Sequence, residues 1–331
     1  MSDSSMHNTQ KKPRVLITHP ELPNVALDLL RSKCELVIVS KFPPEKDEIL
    51  QKGKGVDAIF WRGRYTAIGR EFLDAIGPQL RCISTMSTGF DFVDIEELKR
   101  RKILLGTTMR VQDIAVAELT IGLMIAAARR FHEGKSSIEN STWNSHSLRW
   151  LLGQEIRGSK IGFFGFGNIA QAIAGRLKFF KVDTFLYHSR NQSDKADLYD
   201  AKYRTFDELL EESDFLIIAC PLTNETREKF NARAFDKMKS NAVLVNISRG
   251  QIIDQKALYN ALKTNKIFAA GLDVMNPEPL PSDDPLLSLP NCVIIPHLGA
   301  TTERTRTEMA IVTAQNILKA LAGEPMISPA Y

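Results

Sequence analysis

The sequence predicts an α/β protein built from two doubly wound parallel-sheet domains, the second inserted into the first. Three observations carry this. The 331 residues correspond to about two domains at ~150 residues each. From Arg14 onward, short apolar runs alternate with segments of helical period, and this alternation runs through the chain twice. Finally, a long apolar helix follows the first series, and a second helix near the end of the chain offers a route back.

In the first series, strands are expected at Val15 to Thr18, Leu36 to Val39, Ala58 to Trp61, Cys82 to Thr85 and Ile103 to Thr107. These runs are apolar on both faces, as in a sheet covered by helices on each side. The linking helix, Asp113 to Arg130, places Ala117, Ile121, Met124, Ile125 and Ala128 at helical spacing and closes on two arginines, which suit the negative end of a helix. The second series predicts six strands: Lys160 to Phe164, Thr184 to Tyr187, Phe215 to Cys220, Val243 to Ile247, Ala269 to Val274 and Val293 to Pro296. After His297, the run Gly299-Ala300-Thr301-Thr302-Glu303 offers an N-cap for a helix reaching about Ala322. The expected organisation is a disordered tail over 1–12, a discontinuous domain of 13–112 with 300–331, and an inserted domain of 113–299.

Composition narrows the function classes. The chain is 44% hydrophobic and 25% charged, and its 43 Lys and Arg against 39 Asp and Glu leave a net charge of +4. This excludes wholesale disorder, and the scattered charge argues against a nucleic-acid partner, which needs clustered cations. No apolar stretch approaches the ~20 residues of a spanning helix, so no membrane partner is expected. Cys34, Cys82, Cys220 and Cys292 form no CxxC pair; they are expected as reduced core thiols, with no metal set. The first residues hold no apolar leader core and the last are not Ser-Lys-Leu, so the expected location is cytoplasmic.

The sharpest local signal is Gly165-Phe166-Gly167-Asn168-Ile169-Ala170, directly after a strand and opening a helix with Ile169, Ile173, Leu177 and Phe180 on one face. Gly165 permits the tight turn, Gly167 lets main-chain amides approach a pyrophosphate at a positive helix end, and Ala170 stands for the third glycine of a Rossmann fingerprint. An NAD-binding turn places an acid about twenty residues on, at the ribose 2′-hydroxyl. Here the next strand ends in His188-Ser189-Arg190, without an acid at that point. A hydroxyl and a guanidinium suit a 2′-phosphate, so NADPH is the expected cofactor, with NADH as the weaker alternative.

Four further candidates lie at or beyond the carboxyl ends of second-series strands, where open α/β sheets bind ligands: Arg249, Asp273, Glu278 and His297. Individually each could be a loop ion pair. Together, a guanidinium, carboxylates and an imidazole suit reduction of a 2-oxo acid. Of the other histidines considered, His7 lies in the tail, His19 precedes a proline, and His132 and His188 are read as solvated surface side chains.

These residues resemble a family. Ser84-Thr85-Met86-Ser87-Thr88-Gly89-Phe90-Asp91, Gly165 to Ala170, Asn246 to Gly250, Ala269 to Leu280 and Pro296-His297-Leu298-Gly299 are similar to the D-2-hydroxyacid dehydrogenases, and most similar to their glyoxylate/hydroxypyruvate reductases. The resemblance runs from Arg14 to Met326. It implies a flavodoxin-like substrate domain, a small 2-oxo acid substrate and a homodimer. It also implies that His297 gives the proton to the ketone oxygen, that Glu278 partners it, and that Arg249 anchors the substrate. The turn Ser87, Thr88, Gly89 would hold the substrate carboxylate. Ile247 would stand beside the nicotinamide, Asp273 would hold its carboxamide, Pro221 to Thr223 with Thr226 would line the adenosine side, and Gly299 would belong to the cofactor set. Domain closure would exclude water.

Two departures accompany it. Relatives have Thr-Pro where this chain has Thr108-Met109-Arg110-Val111. Trp143 to Trp150 matches only loosely; ordinary dimer packing is its expected role, with His146 or Trp150 as substitute for a partner-subunit aromatic the alternative. A different 2-oxo acid remains an alternative, as does a nucleotide-sensing corepressor-like binding protein.

Overall fold

The structure is a computed structural model and describes residues 11–63, 66–143 and 147–331. The chain forms two compact units, one of residues up to 111 together with 302–331, the other of residues 112–301.

In the first unit, β1 (Arg14–Ile17), β2 (Glu35–Ile38), β3 (Ala58–Trp61), β4 (Cys82–Thr85) and β5 (Leu104–Gly106) alternate with α1 (Asn24–Lys33), α2 (Lys46–Gly53), α3 (Arg70–Ile76) and α4 (Ile95–Arg101). The sheet order is β2-β1-β3-β4-β5 and every pairing is parallel. The order reverses between β1 and β3, which makes that edge the switch point of a flavodoxin-like sheet. Ile49, Phe72 and Leu98 from the helices pack on Leu16, Ile59 and Ile83. β1, β3 and β4 are buried along nearly their whole length because helices cover both faces, which is why they read as unbroken apolar runs, whereas edge strand β2 is partly exposed.

The second unit opens with α5 (Asp113–Ala128) and α6 (Phe131–Glu139). It then carries β6 (Lys160–Phe164), α7 (Asn168–Leu177), β7 (Thr184–His188), β8 (Ala201–Tyr203), α8 (Phe206–Glu212) and β9 (Phe215–Ile218). α9 (Ala232–Lys237), β10 (Val243–Asn246), α10 (Gln255–Lys263), β11 (Ala269–Leu272) and β12 (Cys292–Ile294) complete it. Its parallel sheet runs β12-β11-β10-β9-β6-β7-β8, so the order reverses between β6 and β9. Alternate residues of a strand serve opposite cores: Phe215 and Ile217 join Ala117, Met124 and Ile173, whereas Leu216 and Ile218 join Leu209, Phe235 and Leu258. The chain then returns through α11 (Glu303–Ala322), capped by the Thr302 hydroxyl on Thr305 N and packed on β3, β4 and β5.

Several expectations are corrected. Among the described residues the second sheet has seven strands, not six; β8 is three residues long with one exposed member, too short to leave a period in the sequence. The linking helix stops at Ala128, because Arg130 adopts φ 56° and starts α6, tied by its guanidinium to Glu133. Phe180 lies beyond α7 in a 3-10 turn and is exposed rather than on the core face. Where relatives were expected to place proline, a turn closes from Val111 N to Thr108 O at 3.2 Å with Arg110 at φ 72°. His146 falls outside the described residues. No described helix is long and apolar enough to cross a membrane.

Candidate active site

At the switch point of the second sheet, β6 is followed by Gly165 at φ 95°. A Cβ there would sit 2.7 Å from the Ala219 carbonyl oxygen and 2.8 Å from Cys220 Cα, so the turn is open only to glycine. Gly167 then caps α7 with main chain alone: no side chain caps the helix and no acid lies in its first turn. A Cβ at Gly167 would meet nothing within 4 Å. The amides at Asn168 and Ile169 therefore open a helix whose positive end faces free space, which fits a pyrophosphate.

At the end of β7, Ser189 Oγ donates to Asn191 O (2.5 Å), and Arg190 is exposed. An acid that sequence reasoning did not weigh stands near this arginine. The Glu225 carboxyl is held below its usual range by the Thr223 hydroxyl, 2.6 Å away, with a smaller contribution from Arg190. Thr226 Oγ1 accepts from Thr223 N (2.8 Å) and donates to Pro221 O (2.9 Å), folding the turn after β9 onto itself. Ile247, just past β10, is nearly buried.

The guanidinium-bearing turn is built by Asn246, whose side chain is fully buried. Its Oδ1 accepts from Ser248 N (3.1 Å) and its Nδ2 donates to Arg249 O (2.9 Å). Ser248 Oγ donates to the Cys220 carbonyl, and Arg249 Nη1 donates to Ser248 O at 2.7 Å. Next in sequence, Gly250 packs so tightly that a Cβ would lie 2.1 Å from the Met275 carbonyl carbon and oxygen. The arginine turn thus rests on the loop that carries the acid.

In that loop, Glu278 Oε1 accepts from Met275 N (3.1 Å) while Oε2 stands 3.0 Å from His297 Nδ1. A carboxylate accepts only, so Nδ1 carries the hydrogen and Nε2 is the nitrogen left to face a reactant. The imidazole is 45% exposed, open to a ligand. His297 itself is at φ 53°, three residues past β12.

Asp273 explains why the imidazole holds that position. It is 1% exposed, and its two carboxylate oxygens accept Leu298 N (2.5 Å) and Gly299 N (3.0 Å). Burial raises its pKa, against the lowering effects of the Leu298 amide, His297 and the Gly299 amide. The carboxylate expected at a carboxamide is therefore also the anchor of the histidine loop. All four cysteines are buried free thiols, with Cys82, Cys220 and Cys292 pushed up to about 12 by burial, so none is a poised nucleophile.

A family model described as the D-isomer specific 2-hydroxyacid dehydrogenase NAD-binding domain matches residues 121–299. The chain belongs to that family. As a 2-hydroxyacid dehydrogenase it is an oxidoreductase working with a nicotinamide dinucleotide. It is 45% identical over 262 residues to the glyoxylate reductase/hydroxypyruvate reductase of Homo sapiens, covering 79% of this chain and 80% of the relative. Its fold matches a glyoxylate reductase from Paecilomyes thermophila at a TM-score of 0.87 and 27% identity, over 97% of this chain and 99% of that one. It also matches an NADPH-dependent glyoxylate/hydroxypyruvate reductase from Sinorhizobium meliloti, solved with NADP and malonate, at 0.83 and 27%, over 97% of both.

In the dehydrogenase's first unit, Met86 N donates to Trp61 O (2.8 Å) and Ser87 Oγ to Gly89 O (2.8 Å), which folds Ser87, Thr88 and Gly89 into a turn at the carboxyl edge of β4. Sequence reasoning missed a cationic group at the same edge. His19 follows β1 and packs against Phe42, the ring centroids 4.0 Å apart and the planes tilted by 38°. Arg62 follows β3 and donates its amide to Thr18 Oγ1 (2.8 Å). Burial and then Arg62 lower His19, and burial and then Arg62 push Arg306 down to about 10. The carboxyl-end rule that singled out His297 would have found His19 and Arg62 had it been applied to the first series. His188 is likewise no solvated side chain: its ring stacks on Phe164, the two planes 2° apart.

Proposed function

We propose that this dehydrogenase reduces small 2-oxo acids, glyoxylate to glycolate and hydroxypyruvate to D-glycerate, with NADPH preferred over NADH. The observation that carries the reading is the 3.0 Å contact of His297 Nδ1 with Glu278 Oε2, beside an arginine turn braced on the acid's own loop.

The pyrophosphate fits the amides at Gly167, Asn168 and Ile169, the 2′-phosphate fits Ser189 and Arg190, and Pro221, Thr226, Ile247, Asp273 and Gly299 complete the cofactor set. When bound, the nicotinamide supplies a hydride to the carbonyl carbon. The chain's residues do the rest. Arg249 binds the substrate carboxylate and carbonyl oxygen, each charged hydrogen bond contributing about 1.5–3 kcal/mol. The amides of the Ser87 to Gly89 turn serve the carboxylate. His297 gives its Nε2 hydrogen to the carbonyl oxygen, and Glu278, bonded to Nδ1, fixes the ring.

Support for the NADPH preference is the absence of an acid at the end of β7; support for the substrates is the resemblance to the reductases. A homodimer is part of the reading, supported by the exposed Ile114, Phe131, Ile138 and Trp143 on and after α5 and α6, and so is a cytoplasmic location. The test is a panel of 2-oxo acids assayed with both reduced cofactors. The expected result is the highest kcat/KM for hydroxypyruvate or glyoxylate with NADPH. Background turnover at saturating substrate would overturn catalysis in favour of a binding role, and a bulkier acid winning would overturn the substrate.

A further inference from the structure

We infer that the amino-terminal edge of the five-stranded sheet holds a second ligand site, for a small polyanion of the diphosphate or phosphate-ester class. A cavity of about 710 Å³ opens there, lined by Lys11, Lys12, Arg14, Lys33 and Arg81, with Asp57 as the acid. That volume lies within the range of small-molecule sites, roughly 300–1,000 Å³. Five of its nine lining residues are cationic, so the complement is a charged ligand rather than a greasy one.

The cationic groups are aimed by neutral partners. Lys12 Nζ donates to Arg31 O and Ser32 O at 3.2 and 3.4 Å, Arg14 Nη1 to Lys54 O and Gly55 O at 3.4 Å, and Arg81 Nη2 to Ala320 O at 3.4 Å. Asp57 receives the Arg14 amide at 2.8 Å, which fixes it in the wall. Outside the cavity lining, Glu35 approaches Arg14 Nε only to 3.8 Å and is mostly exposed.

A structural explanation for these cations exists, but it is too small. α1 ends at Lys33 and α11 at Ala322, so two helix C-termini face this edge, each worth roughly half a negative charge. With Asp57 they offset about two of the five positive charges, and Glu35 beside Arg14 offsets about one more, so about two remain. Such a surplus around one cavity, at the edge of the sheet opposite the Ser87 to Gly89 turn, serves neither the substrate carboxylate nor the packing. Two guanidinium forks and three ammonium groups suit phosphoryl oxygens.

The test is calorimetric titration of the full chain with inorganic pyrophosphate at about 0.15 M salt, against sodium chloride of matched ionic strength. The wild type is expected to bind, and the Lys11→Gln/Lys12→Gln/Lys33→Gln variant at least tenfold more weakly, with an unchanged melting temperature. Arg81→Gln, a single substitution, is expected to weaken binding at least threefold and keeps the question open to measurement should the triple variant misfold. No binding by the wild type overturns the site. So does pyrophosphate binding that both variants retain at full strength, because the ion would then sit elsewhere, the Gly167 helix end included.

Discussion

The amide of Gly299 donates to Asp273 Oδ2 at 3.0 Å, and a Cβ at Gly299 would lie 2.9 Å from that same oxygen. The bond and the missing side chain are one requirement, because the carboxylate reaches the amide only over a bare α-carbon. Since the neighbouring amide, at Leu298, is held by the other carboxylate oxygen, both residues after His297 are pinned to the end of β11.

Gly299→Ala is therefore expected to lower kcat about ten- to a hundredfold, the loss of one charge-assisted hydrogen bond of roughly 1.5–3 kcal/mol. Steady-state kinetics beside a thermal melt checks it. A variant with wild-type kcat would detach the anchor from the imidazole's placement.

His297→Asn is expected to reduce the rate constant of ketone reduction by about 10²–10⁴ while leaving cofactor affinity near wild type. Glu278→Gln should cost less, since a neutral amide oxygen can still accept from Nδ1 but more weakly than a carboxylate. Single-turnover hydride transfer reads both; a wild-type rate in Glu278→Gln contradicts the pairing.

Cofactor choice should respond at the end of β7. Ser189→Asp places a carboxylate where a 2′-phosphate would sit and is expected to raise the NADH over NADPH ratio of kcat/KM at least tenfold. Glu225→Gln, by freeing Arg190 from a neighbouring negative charge, should move the ratio the other way by a smaller factor. Equal ratios in all three proteins would remove the end of β7 from cofactor selection.

Away from the site, Glu97 sets part of the acid stability. Its carboxylate accepts from Arg100 Nε (2.8 Å), Arg100 Nη2 (2.6 Å) and Arg101 Nε (2.8 Å), and these bonds hold its pKa at about 2 against an ordinary 4.5. Because the folded value lies below the unfolded one, this stabilisation is complete above about pH 4.5 and disappears as pH falls toward 2. Glu97→Gln should lower the urea midpoint at neutral pH and flatten its decline between pH 4.5 and 2. A parallel decline in both proteins would show that other carboxylates govern acid unfolding.

The sheets were legible because buried parallel strands are apolar on both faces: Ala58 to Trp61, Cys82 to Thr85 and Lys160 to Phe164 are strands with those bounds. β8 was not, since three residues with Lys202 exposed carry no pattern. Arg249, Glu278 and His297 could be found by their place after strands, and Glu278 and His297 do meet. Asn246 could not be recognised as the builder of the arginine turn, because a fully buried amide bonded only to its own neighbours looks in sequence like any strand-end asparagine. Arg62 was passed over because its strand belonged to the series that lacked a glycine motif, and His19 was set aside for its place before a proline.

The bare α-carbon of Gly250 against the Met275 carbonyl leaves no slack between two loops. Guanidinium, acid and imidazole are consequently mounted as a single jig, and a change to any part of it would be felt by the others. Under the proposed function, an engineer wishing to change which acid the protein accepts would do better to leave that assembly alone.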